Sequence, residues 1–398
     1  MQQLKIYNGR LVTPNGIIDN GCILITGGTI TVVSNDDIEA PNAVAINAGG
    51  NYISPGFIDI HVHGGGGHDF MDATQEAFLE AAKLHARYGT TALTPTTLSC
   101  SHEELLNILD VYDKANVINK DGAAFIGLHL EGPYFAMGQR GAQDPRFIRN
   151  PNVDEYKEVL QRSKAVKRWS AAPELQGTLE FGEYMRANNV LPSFAHTEAV
   201  YDDIVAAFEK GFTLATHLYS GMLGVTRKNA TRHAGAVEAS YIIDGISVEI
   251  IADGIHLPPA LLKLVYKIKG VGKTALITDA MRGAGMPPGK SILGGKHNGL
   301  EVIIEDGVAK LPDRSAFAGS VATADRLVRN MVQLADVPLF DAVQMITSTP
   351  AAIMGIGDKK GSLAIGMDAD IVVFDDDINV QTTIVGGRIV YDRASVKL

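Results

Sequence analysis

The chain is poor in cysteine, short of positive charge and without any long apolar run. Its 398 residues include two cysteines, Cys22 and Cys100. They lie far apart and outside any CxxC or Cys/His pattern, which argues against a disulfide framework and a thiolate metal knot. Both read as ordinary buried thiols. No stretch reaches the roughly 18 apolar residues of a membrane span, and the opening "MQQLKIYNGR" has neither the basic segment nor the apolar core of a secretory signal. The expectation is a cytoplasmic protein with no membrane partner. Lys and Arg number 35 against 45 Asp and Glu, a formal net charge of -10. That balance gives no general attraction to nucleic acid, so an anionic ligand has to be gripped by a local cluster. Two further motifs are missing. "GGGGHD" has neither the Lys-Ser/Thr of a phosphate loop nor GxGxxG spacing, and no GxSxG nucleophile elbow occurs. The glycine run is instead expected to let a substrate come close to a reactive centre.

With 46% hydrophobic and 20% charged residues, the chain has material for a large core. Its two ends share one style. Residues 5–34 show short β-branched runs broken by "NG", "PNG" and "GG", and the last forty residues repeat this with "ADIVVFDDD" and "TTIVGGRIVYD". Between them stand eight short apolar runs: "GFIDIHVH", "TTALTPTT", "AFIGLHLE", "KRWSAAPE", "LPSFAHTE", "FTLATHLY", "ISVEIIAD" and "TALITDA". Helical text such as "TQEAFLEAAKLHARYG" follows most of them. Continuous apolar strands alternating with helices signal parallel strands buried on both faces. The expected fold is α/β: an eight-stranded β/α (TIM-type) barrel over residues 55–354, with a small β-sandwich domain built from residues 1–54 and 355–398. An insertion over 283–316 contains "GLEVIIEDGVAKL", which predicts a hairpin around Asp306-Gly307.

In such a barrel the C-terminal strand ends surround one mouth, where catalytic groups collect. Here those ends carry His61 and His63, then Glu131, His196, His217, Asp253 with His256 close behind, and Asp279. Residues two apart on a strand point the same way, so "HVH" aims both imidazoles at one side. Imidazole and carboxylate from separate strands together suit zinc, with iron, manganese or cobalt as alternatives. Glu131 closes its strand and faces the mouth, while His129, two residues back, lies deeper as a supporting or packing residue. Asp279 has the position of a carboxylate that takes the proton of a metal-activated water. Asp253 caps or orients. His85 and His102 fall in helical text and His68 and His297 in glycine-rich loops, as packing or surface residues. "TRKNATRHAGA" gathers Arg227, Lys228, Arg232 and His233 after the sixth run, either a solvated basic loop or a clamp for phosphate or carboxylate.

In order, "PGFIDIHVHG", "GLHLEGP", "AHTEA", "ATHLYSGM", "IADGIHL", "LITDAM" and "FAGS" resemble the N-acetylglucosamine-6-phosphate deacetylase family of the amidohydrolase superfamily over nearly the whole chain. The resemblance implies hydrolysis of the acetamide of N-acetyl-D-glucosamine 6-phosphate to D-glucosamine 6-phosphate and acetate, with N-acetylgalactosamine 6-phosphate or a related N-acyl or cyclic amide as the alternative substrates. It implies one or two divalent ions per subunit, zinc first. Glu131, His196 and His217 correspond to the ligands of the main ion, His61 and His63 to a second site, and Asp279 to the general base. Substrate contacts are implied for Ala142, Gln143, Ser220, Gly221, Arg232, His256, Phe317, Ala318 and Gly319, with Arg227 as the fallback for Arg232. The family's phosphate-binding arginine can come from a neighbouring subunit, so the expected form is a homodimer. No lysine stands at a strand end to bridge two metals, which disfavours the cyclic-amide relatives.

Overall fold

Each of the eight apolar runs contains a strand in the computed structural model, which describes residues 3–395. These are β1 (Phe57–Val62), β2 (Thr90–Pro95), β3 (Leu128–Glu131), β4 (Val166–Ala171), β5 (Leu191–Phe194), β6 (Leu214–Ala215), β7 (Ser247–Ile251) and β8 (Thr274–Ile277). They are buried almost throughout, as their lack of hydrophobic alternation requires. Strands β3 to β8 pair in sequence as one parallel sheet, and β1 pairs parallel with β2. The two sheets meet at both ends. Thr96 bridges to His129, and the Asp279 amide donates to the His61 carbonyl at 2.9 Å. The sheet therefore curls back toward its start, in a TIM-type α/β arrangement that brings β8 beside β1.

The covering helices follow from apolar spacing and caps. Helix Gln75–Arg87 buries Phe78, Ala81, Ala82 and His85, positions three and four apart on one face. Helix His102–Ile118 starts in a capping box, with Ser101 and Glu104 satisfying each other's backbone amides. Several strands end early. β6 stops at Ala215, and the chain swings out so that His217 leaves the ladder.

Both ends of the chain meet in one hydrogen-bonded sheet. Tyr52–Pro55 pairs antiparallel with Ile371–Phe374, and Gln3–Thr13 lies on the other side of Tyr52–Pro55. Ile6, Ile23, Ile53, Ile371 and Ile384 form its own core. Residues 1–2 and 396–398, part of the expected terminal domain, lie outside the described residues. The insertion turns at Asp306-Gly307, both with positive φ, as a two-residue hairpin requires. It is more than a hairpin: Gly289–Leu293, Leu300–Glu305, Val308–Lys310 and Phe317–Ser320 form a four-stranded antiparallel sheet over Met281, Val302 and Ile304. The Ser320 amide donates to the Asp279 carbonyl at 2.8 Å, which ties this sheet to the end of β8.

Candidate metal centre and active site

Six side chains from five strands converge where the strands end. Glu131 Oε1 lies 2.8 Å from His217 Nε2, 3.3 Å from His196 Nε2 and 3.6 Å from His61 Nε2. Its Oε2 is 3.3 Å from His63 Nε2, and Asp279 Oδ1 is 3.2 Å from that same nitrogen and 3.5 Å from His61 Nε2. All six residues are buried. Two ligand-type groups result, Glu131 with His196 and His217, and His61 and His63 with Asp279. Three of the six, His196, His217 and Asp279, have positive φ of 46°, 31° and 48°. That backbone is unusual for residues other than glycine, and such strain collects at functional sites.

The residues fit a divalent cation. His196 Nδ1 donates to the Gln139 carbonyl at 2.8 Å, so in the neutral ring Nε2 is a bare lone pair, and it faces a carboxylate oxygen. Lone pair against lone pair is repulsive unless a cation sits between them. Four imidazole nitrogens and two carboxylates are a donor set for zinc and its first-row neighbours. Burial alone pushes the carboxyl of Glu131 up, but the imidazoles of His61, His196, His217 and His63 gathered around it more than offset this and hold it well below the usual range. Asp279 is likewise kept low against its burial by His61 and His63. Both carboxylates thus stay ionised, the state a ligand or a base needs.

The cavity above these groups, about 170 Å³, is lined by His63, Glu131, His196, His217 and Asp279 together with Gly141, Ala142, Gln143, Ser220, Gly221, His256, Phe317 and Gly319. Most of the residues expected to touch substrate therefore surround one space. Ala318 turns into the core of the insertion instead, and His61 lies beneath. Arg232 does not line the cavity. It is exposed on a two-stranded hairpin, opposite Arg227, between Thr226–Lys228 and Thr231–His233. Gln143 reaches the cavity, yet both its polar ends are taken: Nε2 donates to Glu131 Oε2 at 2.9 Å, and Oε1 accepts from the Ser99 amide at 2.8 Å. Asp253 orients as expected, its Oδ2 accepting from His256 Nδ1 at 2.7 Å, while the His256 ring packs on Phe317. Burial, opposed by the His256 hydrogen bond, leaves Asp253 below its usual value. His129 sits deeper, bonded to Ser170 Oγ at 2.6 Å, and burial followed by the charges of Arg168 and His61 keeps it neutral.

The glycine run has a different reason from the one expected. None of Gly64 to Gly67 lines the cavity. A Cβ on Gly64 would stand 2.2 Å from the His68 carbonyl oxygen, and the Gly64 amide donates to the Ala280 carbonyl at 2.9 Å. Close packing on the His68 carbonyl and on Leu84, which a Cβ on Gly65 would meet at 2.4 Å, together with positive φ at Gly66 and Gly67, demands the glycines. Gly221 is where the cavity needs one: φ is 58°, and a Cβ there would meet His196 Nδ1 at 2.8 Å.

A buried, ligand-type cluster at the C-terminal end of a curled parallel sheet defines a class, and comparison with known families agrees. Residues 52–390 match the model described as "Amidohydrolase family", and the chain belongs to that family. It is 34% identical to the N-acetylglucosamine-6-phosphate deacetylase of Vibrio furnissii, covering 92% of this chain and 90% of the relative. It is 32% identical to the N-acetylgalactosamine-6-phosphate deacetylase of Escherichia coli O157:H7, covering 96% and 97%. A mutant of the N-acetyl-D-glucosamine-6-phosphate deacetylase of Mycobacterium smegmatis, solved in complex with N-acetyl-D-glucosamine-6-phosphate, superposes with a TM-score of 0.89 at 29% identity, over 98% of this chain and all of that one. The resemblance drawn from the motifs is borne out. Among the described residues no helix is long and apolar enough to cross a membrane.

Proposed function

We propose that this chain hydrolyses the acetamide of N-acetyl-D-glucosamine 6-phosphate, giving D-glucosamine 6-phosphate and acetate. The observation that carries the reading is the gathering of Glu131, His196, His217 and Asp279 at one cavity, in a chain with full-length relatives named for that reaction. Glu131, His196 and His217 hold the main divalent ion, zinc by donor chemistry, and His61 and His63 with Asp279 offer a second site. When bound, the cation polarises the acetyl carbonyl and acidifies a water molecule. The Asp279 carboxylate takes the proton of the attacking water and delivers it to the departing amine nitrogen, one residue serving as base and then as acid. His256, fixed through Nδ1 by Asp253, presents Nε2 to the sugar phosphate, and the Phe317 to Gly319 turn forms the facing wall. Substrate held at both ends is positioned for attack.

Among the described residues no arginine or lysine lines the cavity. The dianionic phosphate therefore draws its guanidinium from the exposed Arg227 and Arg232 hairpin of a second subunit, in a homodimer. The links at Thr96–His129 and His61–Asp279 support an eight-stranded closed barrel, with the terminal sheet folded as a sandwich. A sugar phosphate carries charge that does not cross a bilayer unaided, which fits action in the cytoplasm.

The galactose epimer is the second reading, favoured by the relative from E. coli O157:H7. A cyclic amide is disfavoured, since that chemistry calls for a bridging lysine. Acetate release from the two epimeric sugar phosphates by metal-loaded protein decides between them. Turnover of neither epimer would overturn the proposal.

A further inference from the structure

Beneath the metal centre the inside of the parallel sheet is polar, where such interiors are ordinarily filled by branched apolar side chains. Arg168 on β4 and Glu249 on β7 are fully buried there and form a two-pronged ion pair, Nη1 to Oε1 and Nη2 to Oε2, the latter at 2.8 Å. The other guanidinium hydrogens go to Ser193 Oγ at 3.0 Å, the Ile60 carbonyl at 3.1 Å and Thr216 Oγ1 at 2.7 Å. All five donors of the fork have an acceptor, so the carboxylate it grips has no freedom to turn. Glu249 Oε2 in turn lies 3.6 Å from His61 Nδ1. That nitrogen is buried and makes no hydrogen bond among the described residues, and the Glu249 carboxylate is the acceptor that faces it. The opposite nitrogen of the ring, Nε2, faces Asp279 and Glu131.

Stability gives no reason for this pair. A buried ion pair is often matched or bettered by well-packed apolar residues of the same volume, because desolvation cancels the attraction. A carboxylate behind a ligand histidine does have a use: it fixes the tautomer and the ring plane, and it raises the basicity of the ligating nitrogen. We propose that Glu249, immobilised by Arg168, is the positioning residue for His61: it accepts the Nδ1 proton and leaves Nε2 as the lone pair aimed at the metal centre. The inference rests on the reading of His61 as a ligand.

The test separates the two. Co²⁺ is titrated into the metal-free protein and followed by its visible absorption, and thermal unfolding of the metal-free protein is measured beside it. His61→Ala asks whether His61 binds metal, and is expected to weaken Co²⁺ binding. The double variant Arg168→Met/Glu249→Leu removes the pair without stranding a buried charge. It is expected to unfold at or above the wild-type temperature yet to bind Co²⁺ about 10- to 100-fold more weakly, with altered absorption. If the double variant binds Co²⁺ as the wild type does while His61→Ala does not, the pair is merely structural and the inference is overturned, with the ligand reading intact. If His61→Ala binds as the wild type, the ligand reading falls and takes the inference with it. Should the double variant fail to fold, Glu249→Gln is judged on the same affinity criterion.

Discussion

Replacing Gln143 with alanine removes two hydrogen bonds at once. Its Nε2 holds the outer oxygen of Glu131 at 2.9 Å, and its Oε1 receives the Ser99 amide at 2.8 Å. The residue is 4% exposed, so water does not readily replace either bond. A hydrogen bond to a charged acceptor is worth about 1.5–3 kcal/mol, and a stranded buried amide costs about 1–3 kcal/mol. Allowing for non-additivity, the metal-free variant should lose about 3 kcal/mol in denaturant unfolding. The larger consequence concerns the ion. A partner that orients a ligating carboxylate typically accounts for about 10- to 100-fold in metal affinity, so Zn²⁺ competition with a chelator should show that loss. With zinc saturating, KM should change little, because each polar end of Gln143 is already committed to a protein partner. A variant with wild-type stability and zinc affinity but a raised KM would refute this reasoning and return Gln143 to the role of direct substrate contact.

Other predictions follow from the same geometry. Asp279→Asn should keep the ion at Glu131, His196 and His217 and keep substrate binding, while lowering turnover by about 10²- to 10⁴-fold, read by single-turnover acetate release. Near-normal turnover would remove Asp279 from the chemistry. Gly221→Ala forces a Cβ to within 2.8 Å of His196 Nδ1 at a backbone φ of 58°; both metal affinity and thermal stability should fall, whereas Gly272→Ala, with open space around it, should leave affinity unchanged. Ser101→Ala deletes the cap of helix His102–Ile118 and should cost about 1 kcal/mol without affecting kcat. The Asp253 carboxyl sits below its ordinary value, burial being outweighed by the His256 hydrogen bond. Its contribution to stability is thus complete above about pH 4 and is lost as pH falls below 4 through the depressed folded pKa. Asp253→Asn should flatten that acid limb in urea unfolding measured from pH 5 to 2.

The strand-end residues were legible because the parallel strands announce themselves as apolar runs, so a histidine or carboxylate closing such a run stands out. "HVH" gave two co-directed imidazoles by period alone. Much else depended on contacts between distant segments. Gln143 lies twelve residues from Glu131, and the spacing says nothing of their bond. Arg168 and Glu249 sit inside "KRWSAAPE" and "ISVEIIAD", 81 residues apart, where only the folded sheet turns them toward each other. Gly289–Leu293 and Phe317–Ser320 are too short to be told from loop until they pair across the insertion. The glycine run was read as an opening toward substrate, but the His68 carbonyl and Leu84, on the helix that folds back over the run, are what press on it. Arg232 looked like part of a clamp by composition, and its placement on an exposed hairpin depends on a turn at Asn229-Ala230, both with positive φ.

The central claim is that Glu131, His196 and His217 share one divalent ion at the foot of the cavity. Calorimetric titration of Zn²⁺ into metal-free wild type, Glu131→Gln, His196→Ala and His217→Ala tests it most directly. A tight site in the wild type that disappears in each of the three variants is the expected result; three variants that still bind with wild-type affinity and stoichiometry would contradict the claim.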